Sequence, residues 1–222
     1  MKKNLSQEML KLIACVTMLL DHIGAAILPS TGLRIIGRIS FPIFCFLLSE
    51  GIAHTRNPKK YGLRLLIGAL LAEIPFDLLF YGRLTFAHQN VMVTLLLGFL
   101  MAQWMEKTGN IMLPFAVCFL GAEFLNTDYG GFGVGLIALF FISREHPKKL
   151  LIQVIGMALT MCMMNSAEID VGMIRIPIQM FALLSMVPIY LYSGEKNTRN
   201  IWIQRAFYLF YPVHLAILLL LK

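Results

Sequence analysis

Charge is what this sequence has least of: 14% of its 222 residues are Asp, Glu, Lys or Arg, against about 25% in an ordinary soluble domain. It also lacks a long polar insertion, a low-complexity tract and an internal repeat, so nothing divides it into separate domains. Neither a P-loop nor a GxGxxG fingerprint is present, which removes the common nucleotide-binding folds. The four cysteines, Cys15, Cys45, Cys118 and Cys162, all fall inside apolar runs. That pattern gives neither a disulfide framework nor zinc-ligand spacing, and no metal site is expected.

What is abundant is apolar: 58% of the chain, with a mean hydropathy of +0.74. Apolar stretches recur through the whole length, so a single anchor on a soluble domain does not fit. Breaking the chain at polar and Gly/Pro positions predicts spans near 10–28, 35–53, 61–80, 91–105, 110–126, 131–143, 149–165, 175–193 and 203–221. The expected fold is all-α, one polytopic transmembrane bundle over 1–222 with roughly eight to nine spans. The basic start MKKNLSQEMLK is read as the flank of a retained first helix, because Asp21 and His22 interrupt the apolar run and no small-residue cleavage pattern follows.

The net charge of +7 is spread over short loops and forms no single basic face, so nucleic acid is not expected as a partner. Alternate loops place Lys2, Lys3, Arg56, Lys59, Lys60, Lys107, Arg144, Lys148, Lys149, Lys196 and Arg199 on one side. Arg34, Arg83, Arg175 and Lys222 fall on the other, with Asp128, Glu168 and Asp170. The Lys/Arg excess marks the cytoplasm, so the expected location is a bacterial inner membrane with a cytoplasmic N-terminus.

An ionisable group inside a span costs about 2.5–3.5 kcal/mol on insertion scales, which makes each a site candidate. Asp21, His22, Arg38, Glu73, Asp77 and His88 fall at similar depth, toward the outer ends of the first four spans, with Asn90 opening the fourth and His214 deep in the last. Glu73 and Asp77, four apart, share a helix face on either side of Pro75. His22 is the natural base, its unperturbed pKa of about 6.5 being nearest neutrality. Its orienting partner is expected to be a carboxylate of the third span or, by a bent path, Asp21. The competing reading of such residues is interhelical hydrogen bonding alone. Glu50 and His54 read as a solvated helix end and Glu123 as simple solvation. Tyr61, Tyr81, Trp104 and Trp202 read as interface anchors. The basic run HTRNPKKYGLRLL reads either as a positive-inside signal that attracts anionic lipid or as a dock for a phosphorylated cosubstrate.

The segments LKLIACVTMLLDHIG (10–24), LRIIGRISFPIFCFLLSEGIAHTRNPKKYGLRLL (33–66), EIPFD (73–77), HQNVMVTLLLG (88–98) and FYLFYPVHL (207–215) resemble the TraX family in order and over nearly the whole chain. YSGEKN (192–197) departs from a YNGERG-like pattern of that family. The family's role is N-terminal acetylation of conjugative pilin, and it is similar to a wider group of transmembrane acyltransferases. The resemblance implies an acetyl-CoA-dependent acyltransferase. His22 of DHIG would be the base and Arg38 of GRISFPIF would pair with acyl-donor or intermediate charge, while Asn90 and His214 fall in family motifs without an assigned role. A mechanism that fits both the residues and the resemblance has Asp21 beside His22 and Arg38 or Asn90 stabilising the oxyanion. Acetyl-CoA, a cosubstrate, would dock at Lys59, Lys60, Arg64 and Tyr61 from the cytosol. The acceptor, a pilin amino terminus, lipid, glycan or small amine, would arrive from outside. Direct transfer and an acyl-His22 intermediate both remain open. The rival classes are a small permease, for which the prolines Pro42, Pro75, Pro114, Pro177 and Pro188 could break helices, and a non-catalytic scaffold of a pilus or conjugation apparatus.

Overall fold

In a computed structural model that describes residues 4–164, 166–171, 174–195 and 201–222, the chain is predominantly helical. Its helices are α1 (Gln7–Ala26), α2 (Thr31–Gly37), α3 (Ser40–His54), α4 (Pro58–Tyr81), α5 (Val91–Thr108), α6 (Met112–Phe124), α7 (Gly130–Ser143) and α8 (Lys149–Met163). An antiparallel hairpin, β1 (Glu168–Val171) and β2 (Ile174–Pro177), precedes a 3-10 segment (Ile178–Ser185), α9 (Met186–Tyr190) and α10 (Ile201–Leu221). Lys2, Lys3, Lys196 and Arg199 lie outside the described residues, as do Asn197 and the side chain of Trp202.

Local chemistry accounts for the boundaries. Asn57 caps α4 by accepting from the Lys60 amide at 3.0 Å, with Pro58 as its first residue, a position where a missing N–H costs nothing. Gly82 and Gly109, at φ 69° and 67°, end α4 and α5 in the left-handed conformation that glycine adopts freely. The expected span at 175–193 begins instead as a strand. Asp170 and Arg175 face each other across the hairpin at 3.4 Å and are both about three-quarters exposed, so this polar stretch extends before the apolar 3-10 turn begins.

One cluster of buried apolar residues draws on α1, α3 to α8, α9, α10 and the 3-10 segment. The outer faces are apolar as well. On α8 Leu151, Ile155 and Leu159 are exposed, and on α10 Leu209, Val213, Ile217 and Leu220. Stripes at helical spacing on both sides of a helix are not what a water-facing bundle shows. Two helical runs, Gln7–Ala26 and Thr31–His54, are long and apolar enough to cross a membrane. By contrast α6, α7 and α8, of 13, 14 and 15 residues, reach only about 20–22 Å at about 1.5 Å per residue.

Two glycines set how closely α1 meets α2. A Cβ on Gly24 would stand 2.7 Å from Leu33 Cβ, and one on Gly37 would stand 2.2 Å from both Cβ and Oδ1 of Asp21. The glycines of DHIG and GRISFPIF are therefore packing requirements, and Ser40 adds a 2.9 Å bond to the Ala14 carbonyl. Gly37→Ala is expected to lower stability by about 1–3 kcal/mol through overpacking. Gly135→Ala, in α7 with open space at its Cβ, is expected to cost nothing. Thermal unfolding of both variants in detergent checks the contrast.

Candidate functional site

The site is built around Arg38, at the junction of α2 and α3. Its Nη2 bonds both carboxylate oxygens of Asp21 at 2.5 Å, and Nη1 bonds the Tyr129 hydroxyl at 3.3 Å and Gln179 Oε1 at 3.2 Å. Nε donates to the Arg34 carbonyl at 3.3 Å. A guanidinium has five N–H donors, and all five are used. Arg34 Nη1 adds a second ion pair to Asp21 Oδ2 at 2.7 Å. Two guanidiniums face the Asp21 carboxylate, and the Asp128 carboxyl lies along the same stretch of cavity wall.

Arg38 was expected to meet an oxyanion directly. With every donor committed it instead orients Tyr129, which the sequence reading did not single out. Tyr129 lies in the left-handed region at φ 65°, where a non-glycine residue costs roughly 1–3 kcal/mol and is held by its surroundings. Those surroundings are the Arg38 bond and a stack on Phe41 at 3.7 Å and 12°. Because the hydroxyl accepts from Arg38, its own proton is free to donate, and it has no acceptor among the described residues. The sequence signal available was a tyrosine directly before Gly130 and Gly131 in an interhelical turn.

His22 follows Asp21 on α1 but shares no hydrogen bond with the arginines among the described residues. Its Nδ1 lies 2.7 Å from Nε2 of His214 on α10, and the rings stack at 4.9 Å and 7°. His214, 4% exposed, is thus the ring's partner, and neither carboxylate of α4 nor Asp21 fills that role. Asp21 is fully engaged by the arginines. Glu73 and Asp77 do share a face, but it is turned toward the Gly82–Asn90 loop. Glu73 Oε2 accepts from the Asn90 side chain, and Asp77 Oδ2 accepts from the Thr85 amide at 2.7 Å.

Asn90 itself is fully buried as the cap of α5. It accepts from the Met92 amide at 3.0 Å and donates to the Ala69 carbonyl at 2.9 Å, so it has no amide proton left for an oxyanion. The Gln89 carbonyl accepts from the Asp128 amide at 2.8 Å and the Ala87 carbonyl from the Asn126 side chain at 2.7 Å, tying this loop to the turn that carries Tyr129. In that turn burial raises the Asp128 carboxyl from its ordinary value, with Arg38 and His88 opposing the rise. Glu123, expected to be merely solvated, accepts from the Gly131 amide at 2.7 Å and so satisfies the start of α7.

A cavity of about 1310 Å³ connects these groups with the opposite end of the bundle. Asp21, His22, Arg34, Arg38, His88 and Tyr129 line one end, and Lys11, His54, Arg56, Lys60 and Arg64 line the other. Along α4 it runs from Lys60 to Tyr81, roughly 30 Å at about 1.5 Å per residue. Arg64 lies over the rings of Tyr61 and Tyr208 at 5.5 and 5.2 Å, a cation–π arrangement that pins it at the wall. Tyr61 is buried against Gly51 and is no interface anchor. Lys59 is exposed and is not part of the cavity lining.

Asp21 and Arg38 side chains are 11% and 12% exposed, so removing one partner leaves a charge uncompensated in the interior. Asp21→Asn is expected to cost about 3–5 kcal/mol, whereas Arg34→Ala, at the wetter edge, is expected to cost at most about 1 kcal/mol. Chemical denaturation of the two variants reads the difference.

A family model described as TraX protein matches residues 6–222. The chain is 31% identical over 229 residues to a probable fimbrial assembly protein FimC, serogroup H1, of Dichelobacter nodosus, covering 94% of this chain and 92% of that protein. It is 28% identical over 152 residues to the uncharacterized protein RP591 of Rickettsia prowazekii (strain Madrid E), covering 65% of this chain and 58% of that one. No solved structure matches. With the match running from Ser6 to the last residue and taking in every group around His22 and Arg38, the chain belongs to the TraX protein family.

Proposed function

We propose that this chain is a multi-pass inner-membrane acyltransferase, one bundle that moves an acetyl group from cytosolic acetyl-CoA to an amine or hydroxyl at the outer side. The observation that carries the reading is the cavity joining a basic mouth at Lys60 and Arg64 to the imidazole of His22. Outward apolar faces on α4, α8 and α10 favour lipid as their solvent. Short helices such as α6 and α7 complete the bundle where the bilayer thins or neighbours shield them. The basic mouth then faces the cytoplasm, as the positive-inside rule requires.

On this reading the phosphates of acetyl-CoA meet Lys60, Arg64 and Arg56, and the acyl arm runs along α4 toward His22. An acceptor nitrogen or oxygen attacks the thioester carbonyl, its bond to carbon forms, and the carbon–sulfur bond breaks. His22 takes the acceptor's proton and returns it to the departing thiolate. The Tyr129 hydroxyl, backed by Arg38, donates to the oxyanion. The fimbrial-assembly name of the Dichelobacter relative makes a pilus subunit's amino terminus the first acceptor to try. The same name favours a second reading, a non-catalytic scaffold, which requires that His22 be dispensable.

Acetyl-CoA binding and hydrolysis or transfer by detergent-purified protein separates these readings. His22→Ala is expected to retain binding and lose turnover by about 10²–10⁴-fold. A Lys60→Ala/Arg64→Ala pair is expected to weaken binding by at least about tenfold, the loss of charge-assisted hydrogen bonds worth about 1.5–3 kcal/mol each, while Lys59→Ala leaves it unchanged. Folded wild-type protein that neither binds nor turns over acetyl-CoA would reject the donor and direct attention to transport in proteoliposomes. Tyr129→Phe keeps the ring and its stack but leaves one buried Arg38 N–H without its acceptor. It is therefore expected to lower kcat by about 10²–10³-fold and stability by about 1–3 kcal/mol, with the protein still folded at the assay temperature.

A further inference from the structure

We infer that His214 is a positioning residue that fixes the tautomer of His22, so that the nitrogen left free to take a proton is Nε2. The inference rests on the acyltransferase reading for its purpose, but its geometry stands independently. His214 Nδ1 lies 2.8 Å from the carbonyl oxygen of Phe210, one turn earlier on α10. A carbonyl can only accept, so Nδ1 carries the proton. A neutral imidazole has one N–H, which leaves His214 Nε2 as an acceptor. The group 2.7 Å away, His22 Nδ1, must therefore donate. Neutral His22 is then left with its lone pair on Nε2, which has no partner among the described residues, on a ring that lines the cavity.

The rings around the pair hold it in this arrangement. Phe210 stacks on His214 at 4.9 Å and 19°, Tyr211 meets it edge-on at 5.6 Å, and Phe80 meets His22 edge-on at 5.5 Å. Rotation of either imidazole would break the short contact and the stack together. When Nε2 takes a proton, the resulting imidazolium keeps its Nδ1–H bond to His214, so the same contact orients the base and stabilises its charged form. The pattern is that of the orienting member of a catalytic triad, with a neutral imidazole in place of the carboxylate.

Diethyl pyrocarbonate, which acylates an unprotonated imidazole nitrogen, reads this without any assumption about donor or acceptor. The intact purified protein is labelled and His22 followed by peptide mass, with His22→Ala as the blank. Wild-type His22 is expected to react readily. His214→Phe, which keeps the aromatic packing but offers no acceptor, is expected to slow the reaction by about tenfold, the scale of a lost orienting partner. His214→Gln, whose amide oxygen reaches about as far as Nε2, is expected to restore most of the rate. His214→Asn, equally polar but too short, is expected to stay slow, and melting temperatures recorded alongside separate these effects from loss of fold. Equal labelling in wild type and a folded His214→Phe or His214→Asn, or equal slowing in the Gln and Asn variants, overturns the inference. In turnover, His214→Phe is expected to lower kcat about tenfold with the KM for acetyl-CoA unchanged, and to add nothing to His22→Ala. Labelling that follows the expected order in a protein inert toward acetyl-CoA would sink the donor assignment and leave the His214 role standing.

Discussion

A guanidinium placed in an apolar interior must find five acceptors or pay for each one missing, and the organisation of this protein follows from how Arg38 finds them. No single helix supplies them. The Asp21 carboxylate comes from α1, a backbone carbonyl from α2, a hydroxyl from the turn before α7, and an amide oxygen from the 3-10 segment. Each contribution constrains its own element. Asp21 comes close enough only because residue 37 has no Cβ, and Tyr129 reaches only by adopting a left-handed backbone. Stretches around residues 21, 34, 129 and 179 are thereby held against one planar group, and the cavity end beside them is preorganised.

What could be read from sequence divides along a physical line. Periodicity and hydropathy are local, so most helical stretches have boundaries close to those expected, the exception being 175–193, which holds a strand, a 3-10 segment and the short α9. The shared face of Glu73 and Asp77 comes through as well. Contacts between helices depend on rotation and depth, which one sequence does not specify. His22 and His214 are 192 positions apart, and only the packing of α10 beside α1 and α4 brings them together. Asn90 illustrates the opposite case. A polar residue at the entrance of a span reads as chemistry, yet the position before a helix is where asparagine most often serves the backbone, and Asn90 caps α5. The Arg34–Arg38 spacing of four, one helical turn, was a legible sign that both would reach the same acid.

The cavity divides its chemistry by end. At the Lys60 mouth the groups are cations on long, partly stacked side chains, suited to a polyanion that arrives and leaves. At the His22 end the groups are short, mutually bonded and fixed in orientation, suited to charge that develops only in a transition state. The wall between them is largely apolar, from Leu65 through Leu71 to Phe76. On the proposed reading, a site with this polarity admits a long anionic donor from one face and keeps the reacting atoms away from its charge.

The choice of partner for His22 follows from the same electrostatics. A carboxylate would be the usual orienting group for a base, and Asp21 is adjacent in sequence. In a low-dielectric interior, however, any free carboxylate within reach is drawn to Arg34 and Arg38, because opposite charges at a few ångströms attract far more strongly there than in water. Asp21 is held in that way, through three contacts of 2.5–2.7 Å. A second buried carboxylate beside His22 would add a desolvation penalty and, on the proposed mechanism, oppose the negative charge of an oxyanion. A neutral imidazole avoids both costs. It accepts one hydrogen bond, brings no charge, and is itself oriented by a backbone carbonyl that mutation of side chains cannot remove. On the proposed acyltransferase reading, the arginines attend to negative charge and the histidine pair to the proton, with neither role eroding the other.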